Sequence, residues 1–284
     1  MGDKETKSDI HTCFPPILEL RRLNQQRFAG HNKWSKVKHT KNAKDAKKSS
    51  MYSKIGLEIT AAAKAGGTDP ITNNKLQAAL NRAKSANMPK DTIENALKRA
   101  LDKNKDSLEK VTYECVGPGG IAMIVETLTD NKSRTVKEVK EVLNRVGGSV
   151  SSVGYLFDKK GKVTFTAGQS GHSFEQIMDH AIECGVEDIE EIPADEITAP
   201  EGETEGNTDN LIEVICEFSE LNNVSKALMD RCQYEVQEIG PVYIPNSTVE
   251  VNDEETIEAV EKTFERMENL ADVVKIHTNA SFAN

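Results

Sequence analysis

The spacing of hydrophobic residues predicts three helices in the first half of the chain. Apolar residues recur every three or four positions over residues 43–65 and 73–87, and again from Asp91 onward. The second helix is expected to stop before Pro89, because the residue that precedes a proline is disfavoured in the α region. The third begins with Asp91 as its predicted N-cap, and Glu94 stands where it would complete a capping box. Together these segments are expected to form a small three-helix unit.

After residue 110 the pattern changes to the shorter runs that are typical of strands. Residues 111–115 and 121–128 are predicted strands around a Gly117-Pro118-Gly119-Gly120 turn, and a helix is expected over 136–146. Further strands are expected at 150–157, 162–166, 186–192, 211–218, 234–239, 242–251 and 272–278, and further helices at 173–185, 221–232 and 254–269. The segment 162–239 therefore has the order β-α-β-β-α-β, which is that of a ferredoxin-like domain.

This succession predicts an α+β protein of three domains: an N-terminal three-helix unit, a middle α/β domain and an inserted ferredoxin-like α/β domain. The middle domain is expected to combine two segments, because the strands on either side of the insertion can share one sheet. The predicted limits are 1–28 for a targeting or disordered extension, 29–108 for a basic helical nucleic-acid-binding domain, 109–160 plus 240–284 for the middle domain, and 161–239 for the acidic ferredoxin-like domain.

Charge divides the chain into two unlike parts. Residues 31–110 carry 18 Lys and Arg against 8 Asp and Glu, whereas residues 111–284 carry 13 against 34. The net charge of −10 therefore hides a basic module of +10 in front of an acidic remainder of −21. A concentrated positive charge of this kind indicates a nucleic acid or another anionic surface as the partner. The acidic loop 193–209 is expected to be solvated and to repel such a partner.

The basic module contains the candidate binding residues. Seven lysines lie between His31 and Lys48 with one carboxylate among them, and Lys41, Lys44 and Lys48 fall on one side of the predicted helix. Trp34 either stacks on a base or anchors the segment against the helices. The full candidate nucleic-acid-binding set is His31, Lys33, Trp34, Lys36, Lys38, His39, Lys41, Lys44, Lys47, Lys48, Lys54, Arg82, Lys84, Lys90, Lys132 and Arg134.

Two other motifs have simpler structural explanations. Gly117-Pro118-Gly119-Gly120 could cradle a phosphate, but it lacks the GK[ST] sequence and the following helix of a P-loop, so a turn is favoured. In the segment 129–135, Asp130 or Ser133 is the expected cap of the next helix, with Lys132 and Arg134 facing outward. The alternative for this segment is a loop that contacts RNA.

The sequence contains no set of residues that indicates catalysis, a metal or a cofactor. His31 and His39 lack partners at metal-ligand spacing, so we expect no enzymatic activity, no catalytic or metal site and no cofactor. The five cysteines are scattered and never paired as CxxC, and we interpret them as buried or inert thiols in a reducing compartment. The longest apolar run, 121–125, is far shorter than the roughly 20 residues that span a bilayer.

Several separated motifs carry a resemblance to a known family. The motifs are Ala29-Gly30-His31-Asn32-Lys33-Trp34-Ser35-Lys36, Asn87-Met88-Pro89-Lys90-Asp91, Tyr113-Glu114 with the glycine turn, and Leu128-Thr129-Asp130-Asn131 with Arg134-Thr135. From about residue 29 to Asn279 the chain resembles the YebC/PmpR family, and within it the mitochondrial translational activators of cytochrome c oxidase subunit I. The resemblance implies three α+β domains, no enzymatic activity, and a role as a transcriptional regulator or as a ribosome-associated translation factor.

The chain departs from the family pattern at two places. Cys115-Val116 stand where Gly-Tyr is usual, and Lys132-Ser133 stand where Arg-Asn is usual. The missing aromatic argues against base stacking at the first of these positions. The Arg-rich amphipathic segment 14–28 resembles a targeting helix that ends at a matrix-processing junction, so a mitochondrial matrix location is expected, with the cytoplasm as the alternative.

The main hypothesis is therefore a ribosome-associated translation factor. Its basic module would bind ribosomal RNA, and mRNA or tRNA would be further partners; the sequence shows no small-molecule substrate. The alternative hypothesis is a DNA-binding transcriptional regulator, which needs an element that delivers side chains to base edges. A nuclease is disfavoured because it requires a metal or an acid/base pair.

Overall fold

The computed structural model describes residues 41–102, 108–193 and 210–282. The predicted targeting segment, the candidate residues from His31 to His39, and nearly all of the acidic loop lie outside these ranges. The helices are α1 (Lys41–Gly66), α2 (Asn74–Ser85), α3 (Lys90–Leu101), α4 (Lys132–Asn144), α5 (Phe174–Glu183), α6 (Leu221–Asp230) and α7 (Glu254–Glu268). The strands are β1 (Glu109–Val116), β2 (Ala122–Thr129), β3 (Ser149–Val150), β4 (Phe157–Thr166), β5 (Asp188–Ile192), β6 (Leu211–Glu217), β7 (Glu235–Pro245), β8 (Val249–Val251), β9 (Val273–Thr278) and β10 (Ala280–Phe282).

Helices α1, α2 and α3 form the predicted three-helix unit around a small core. The side chains that fill this core are Ile55, Ile59, Ala63, Leu76, Ala79, Ala83, Met88 and Ala96. The prediction that Asp91 caps α3 is wrong, because Pro89 is the N-cap. The backbone N–H groups of Thr92 and Ile93 already donate to the Pro89 carbonyl, so the helix begins at Lys90 and Asp91 lies in its first turn.

The middle sheet has the strand order β3-β1-β2-β9, and every neighbouring pair is antiparallel. Helices α4 and α7 pack on one face of it, where Met123 and Val125 of β2 meet Leu143 and Phe264. A short parallel pair, β8 with β10, lies beside this sheet. The turn between β1 and β2 is the glycine motif, so the two strands are joined as the sequence predicts.

The second sheet has the order β5-β6-β4-β7, again with every neighbouring pair antiparallel. Its elements follow the chain order β-α-β-β-α-β, as predicted for a ferredoxin-like unit. Helices α5 and α6 cover one face and bury Phe165, Ile177 and Leu228 with it. The whole is therefore a mixed α+β protein with antiparallel sheets behind an N-terminal helical unit.

Two long strands correct the sequence prediction. Residues 150–157 do not form one strand: Gly154–Leu156 is a 3-10 turn, and β4 then runs unbroken through Gly161. Gly161 is not a break but a close approach, because a Cβ at this position would lie 2.9 Å from the Cys216 sulfur. The strands expected at 234–239 and 242–251 are mainly the single strand β7, which pairs with β4 along its length.

The three units are in contact with one another. Helix α2 packs against β7, and Asn81 Nδ2 donates a hydrogen bond of 2.9 Å to the Val236 carbonyl. Lys275 of β9 forms an ion pair with Glu238 of β7, which joins the two sheets. Across the three described ranges, no helix combines the length and the hydropathy that crossing a bilayer requires.

Candidate nucleic-acid interface

Helix α1 carries the lysines that the sequence places on one side. The helix begins at Lys41, so Lys41, Lys44 and Lys48 occupy positions i, i+3 and i+7 of a regular helix. Lys47 belongs to the same first two turns, and the Lys48 Nζ lies 5.9 Å from the centre of the Tyr52 ring. A helix with this spacing offers a row of positive charge to consecutive phosphates.

Tyr52 fixes α1 to the turn between α2 and α3. Its hydroxyl lies 3.1 Å from the Ala86 carbonyl oxygen and 2.9 Å from that of Asn87, and it donates its proton to this pair of acceptors. Asn87 has a left-handed backbone with φ of 53°, which turns the chain toward α3. The lysine row therefore stands on a helix whose position relative to the other two helices is set by a polar anchor.

Two candidate residues of this unit face inward. Arg82 NH1 lies 3.0 and 2.9 Å from the two carboxylate oxygens of Glu58, so the two side chains form an ion pair that joins α2 to α1. Lys54 is half-buried, and burial lowers its pKa because the charged ammonium loses hydration. By contrast, Lys84 and Lys90 are exposed at the end of α2 and the start of α3. Arg82 therefore joins two helices of the fold and Lys54 is partly withdrawn from solvent, while Lys84 and Lys90 are open to a partner.

Helix α3 presents a row of exposed polar residues that lies outside the candidate set. Thr92, Asn95 and Arg99 stand at i, i+3 and i+7 and are all exposed. Asparagine and arginine are the side chains that pair with adenine and guanine edges in the major groove. The spacing of these three polar residues is visible in the sequence and would have placed them in the candidate set.

The segment 129–135 forms an internal hydrogen-bond network. The cap of α4 is Asn131, whose Oδ1 accepts from the Arg134 N–H at 3.0 Å, so the prediction of Asp130 or Ser133 as the cap is wrong. Asn131 takes this role because its extended backbone, with φ of −142°, places the side chain over the first turn. The residues of this segment are therefore explained mainly by their role in starting α4, rather than by contact with RNA.

Arg134 and Lys132 have partners within the protein. The Arg134 NH2 group lies 2.7 Å from a carboxylate oxygen of Asp272 and 2.7 Å from one of Asp130, and the hydrogen bond to Asp272 raises its pKa above the ordinary value. Lys132 forms an exposed ion pair with Glu109. These two candidate cations are thus engaged in the structure, and Arg134 in particular holds a buried carboxylate.

The glycine motif is a closed turn. The Gly117 N–H donates to the Ile121 carbonyl at 2.8 Å, and the Gly120 N–H donates to the Gly117 carbonyl at 3.2 Å. Gly119 and Gly120 have φ of 66° and 75°, which residues with a Cβ rarely adopt. Since two of the N–H groups are used to close the turn, the turn interpretation is supported over a phosphate cradle.

Glu114 explains a further part of the family-like motif. Its carboxylate accepts from the Val153 and Gly154 N–H groups, each at 2.7 Å, and the Gly154 hydrogen bond leads the causes that lower its pKa. This anchors the 3-10 turn at which Tyr155 is exposed.

Among the described residues, no group of three or more His, Cys, Asp or Glu is arranged to hold a metal ion.

Comparison with known proteins assigns the chain to a family. A sequence model described as the TACO1/YebC protein N-terminal domain matches residues 32–103, and one described as the TACO1/YebC second and third domain matches residues 108–280. The chain belongs to the TACO1/YebC family. The resemblance seen in the sequence motifs is thereby confirmed at the level of the family.

Bacterial relatives and a solved structure extend this comparison. The chain is 40% identical over 259 residues to a probable transcriptional regulatory protein of Kosmotoga olearia, covering 89% of this chain and 94% of the relative. It is 38% identical over 262 residues to a protein of the same description from Alcanivorax borkumensis, covering 90% and 97%. The crystal structure of a conserved hypothetical protein from Aquifex aeolicus matches with a TM-score of 0.67 at 32% identity, covering 88% and 97%. The names of the Kosmotoga olearia and Alcanivorax borkumensis relatives describe regulatory proteins.

Proposed function

We propose that the chain is a regulatory protein that binds RNA phosphates through its N-terminal basic module and acts in translation. The observation that carries this proposal is the regular helix from Lys41, which aligns Lys41, Lys44 and Lys48 on one side. The remainder of the chain, at −21 over residues 111–284, is repelled by a polyanion and leaves the module as the contact surface. Such a protein acts by positioning a partner, and its site contains no group assigned to bond chemistry.

The proposed role in translation is accompanied by a proposed location in the cell. We propose that residues 14–28 direct the chain to the mitochondrial matrix, where ribosomal RNA, mRNA or tRNA would be the partner. Fractionation of cells that express the tagged protein tests this proposal, together with the mass of the mature N-terminus. Recovery of the full-length chain in the cytoplasm would contradict it.

A DNA-binding transcriptional regulator is the second candidate, and two observations favour it. The bacterial relatives are named probable transcriptional regulatory proteins. The exposed row of Thr92, Asn95 and Arg99 on α3 also supplies the kind of side chains that specific DNA recognition needs. Under this alternative, Asn95→Ala and Arg99→Ala would weaken binding to one duplex sequence much more than to others.

Competition binding separates the two candidates. The full chain is titrated with structured RNA and with duplex DNA of the same length, each at two salt concentrations, because phosphate contacts make affinity fall with salt. A variant with Lys41, Lys44 and Lys48 all changed to Glu is compared with one in which the exposed Lys137, Lys140 and Lys226 are changed to Glu. The two variants have the same net charge, so a difference between them locates the contact.

The expected result is specific. Loss of RNA binding and of ribosome co-sedimentation in the α1 variant alone, with a shallower salt dependence, supports the translation proposal. A preference of the unmodified chain for one duplex sequence, with ribosome association at background, supports the transcriptional alternative. Equal binding by both variants would show that α1 does not contact the nucleic acid.

A further inference from the structure

A small cavity lies at the C-terminal ends of α5 and α6 in the ferredoxin-like unit. Its lining residues are His172, His180, Glu183, Cys184, Arg231 and Cys232. The Tyr234 hydroxyl lies beside it, 3.1 Å from His172 Nδ1 and 2.9 Å from His180 Nδ1. The proposed nucleic-acid contact does not use this cavity.

The two cysteines of the cavity are neighbours in space although 48 positions separate them in the chain. Cys184 is the C-cap of α5, and Cys232 follows the end of α6. Both are half-buried at the edge of the same core, and both line the same small cavity. The other described cysteines, Cys115 and Cys216, are fully buried. One pair of thiols in the described ranges is therefore both adjacent and open to a cavity.

We propose that Cys184 and Cys232 form a dithiol site that reacts with low-molecular-weight disulfides and closes to a reversible Cys184–Cys232 disulfide. This goes beyond the proposed function, since it assigns a covalent modification site to a domain that the nucleic-acid contact does not use. It also revises the interpretation of these two cysteines as inert thiols. In a reducing compartment such a bond is labile and follows the thiol–disulfide balance of its surroundings.

The exchange proceeds in two steps. The thiolate of one cysteine attacks a sulfur of the small disulfide, which expels one small thiolate and leaves a mixed disulfide on the protein. The thiolate of the second cysteine then attacks the protein sulfur of the mixed disulfide and expels the other small thiolate. The protein loses two protons and two electrons, and the small disulfide gains both as two thiols.

The surroundings of Cys232 disfavour its thiolate. Burial and the neighbouring Cys184 raise the pKa of Cys232 to about 11, so Cys232 remains a thiol near neutral pH. The exchange is expected to accelerate as pH rises, because a larger fraction of Cys232 is then thiolate.

The test uses the full chain with Cys13→Ser, which removes the cysteine that lies outside the described residues. The folded protein is incubated with oxidised glutathione at several pH values, then quenched with acid and analysed by intact mass and by non-reducing peptide mapping. Cys184→Ser and Cys232→Ser serve as matched variants, and their fold is checked by circular dichroism. Cys115 and Cys216 act as internal controls.

The expected product is a protein that has lost two hydrogens, with the Cys184 and Cys232 peptides joined and with full reversal by dithiothreitol. Cys184→Ser and Cys232→Ser cannot close the bond, and each gains at most one glutathione. Phenylarsine oxide, which binds two close thiols, should be retained by the reduced parent and lost in both variants. Two stable glutathione adducts, a bond to another cysteine, or no reaction at Cys184 and Cys232 would each overturn the proposal.

Discussion

Glu126 and His277 are hydrogen bonded to each other inside the middle sheet. The His277 Nε2 atom lies 2.8 Å from the Glu126 Oε1 atom, on adjacent strands β9 and β2, and both residues are buried. Lys110 of β1 forms an ion pair with the same carboxylate. The Tyr243 ring meets the imidazole edge-on at 5.2 Å, so this relationship connects three strands of one sheet with β7 of the other.

The Glu126 carboxylate makes stability depend on pH. Burial alone would raise its pKa, but the hydrogen bond from His277 and the charge of Lys110 lower it to about 2, below the ordinary 4.5. A carboxyl group whose pKa is lower in the folded than in the unfolded chain stabilises the fold at pH values above its unfolded pKa. This contribution is lost as pH falls from about 4.5 toward 2. We expect Glu126→Gln to cost about 1–3 kcal/mol at neutral pH and to remove this part of the acid dependence.

Urea denaturation at a series of pH values measures this effect. Glu250→Gln, at an exposed position of β8, is the matched control and should leave the profile unchanged. An unchanged acid profile in Glu126→Gln would show that the buried carboxylate does not govern this range.

Asp272 is held by three donors at the start of α4. It accepts from Arg134 and Thr135 at 2.7 Å each and from Thr129 at 3.0 Å. Burial opposes ionisation, but these hydrogen bonds lower its pKa, so the stability that it contributes is lost as pH falls below its ordinary value. We expect Asp272→Asn to lower the free energy of unfolding by about 1–3 kcal/mol.

Arg134→Gln distinguishes a structural role of this arginine from an RNA-binding role. We expect a loss of about 1 kcal/mol in the free energy of unfolding, because removing the guanidinium takes one hydrogen-bond donor away from the buried Asp272 carboxylate. RNA affinity, measured on the folded variant, should not change. A marked loss of affinity with unchanged stability would restore Arg134 to the binding surface.

Gly119 and Gly120 allow a comparison between strain and contact. Both have a positive φ, so replacement by alanine should cost about 1–2 kcal/mol at either position. A Cβ at Gly119 would also lie 2.8 Å from the Thr256 methyl carbon, whereas the space at Gly120 is open. Gly119→Ala is therefore expected to be the more destabilising of the two. Thr256→Ser, which removes that methyl group, should recover the difference in a double-mutant cycle.

Asn131 gives a test of the observed helix cap. Its Oδ1 satisfies the Arg134 N–H in the first turn of α4, so Asn131→Ala is expected to lower stability by about 1 kcal/mol. Ser133→Ala, at the position that the sequence also allows as a cap, should have little effect. Thermal unfolding of the two variants side by side measures the difference, and equal losses would contradict the assignment of the cap.

Much of the fold follows from local patterns in the sequence. Helix α1 was predicted over 43–65 and spans Lys41–Gly66, and the helix predicted over 254–269 spans Glu254–Glu268. The β-α-β-β-α-β order was also predicted, because each element has its own hydrophobic period. The limits of β4 were not, since its continuity through Gly161 depends on pairing with β6 and β7.

The candidate site divides in the same way. The lysine row on α1 could be predicted, because residues three and four apart share a side of any helix. The engagement of Arg82 by Glu58 and of Arg134 by Asp272 could not, since these partners lie 24 and 138 positions apart. A pattern of neighbouring residues cannot predict contacts between residues so far apart in the chain.

The sequence by itself determined the family, the three helices, the order of the strands and the contrast between a basic and an acidic part. These properties depend on composition and on residues within a few positions of each other. The tertiary structure decided which cations remain open, which asparagine caps α4, and which two of the scattered cysteines meet. Ion pairs, caps and shared cavities depend on distances in space, and only packing brings residues such as Cys184 and Cys232 to one cavity.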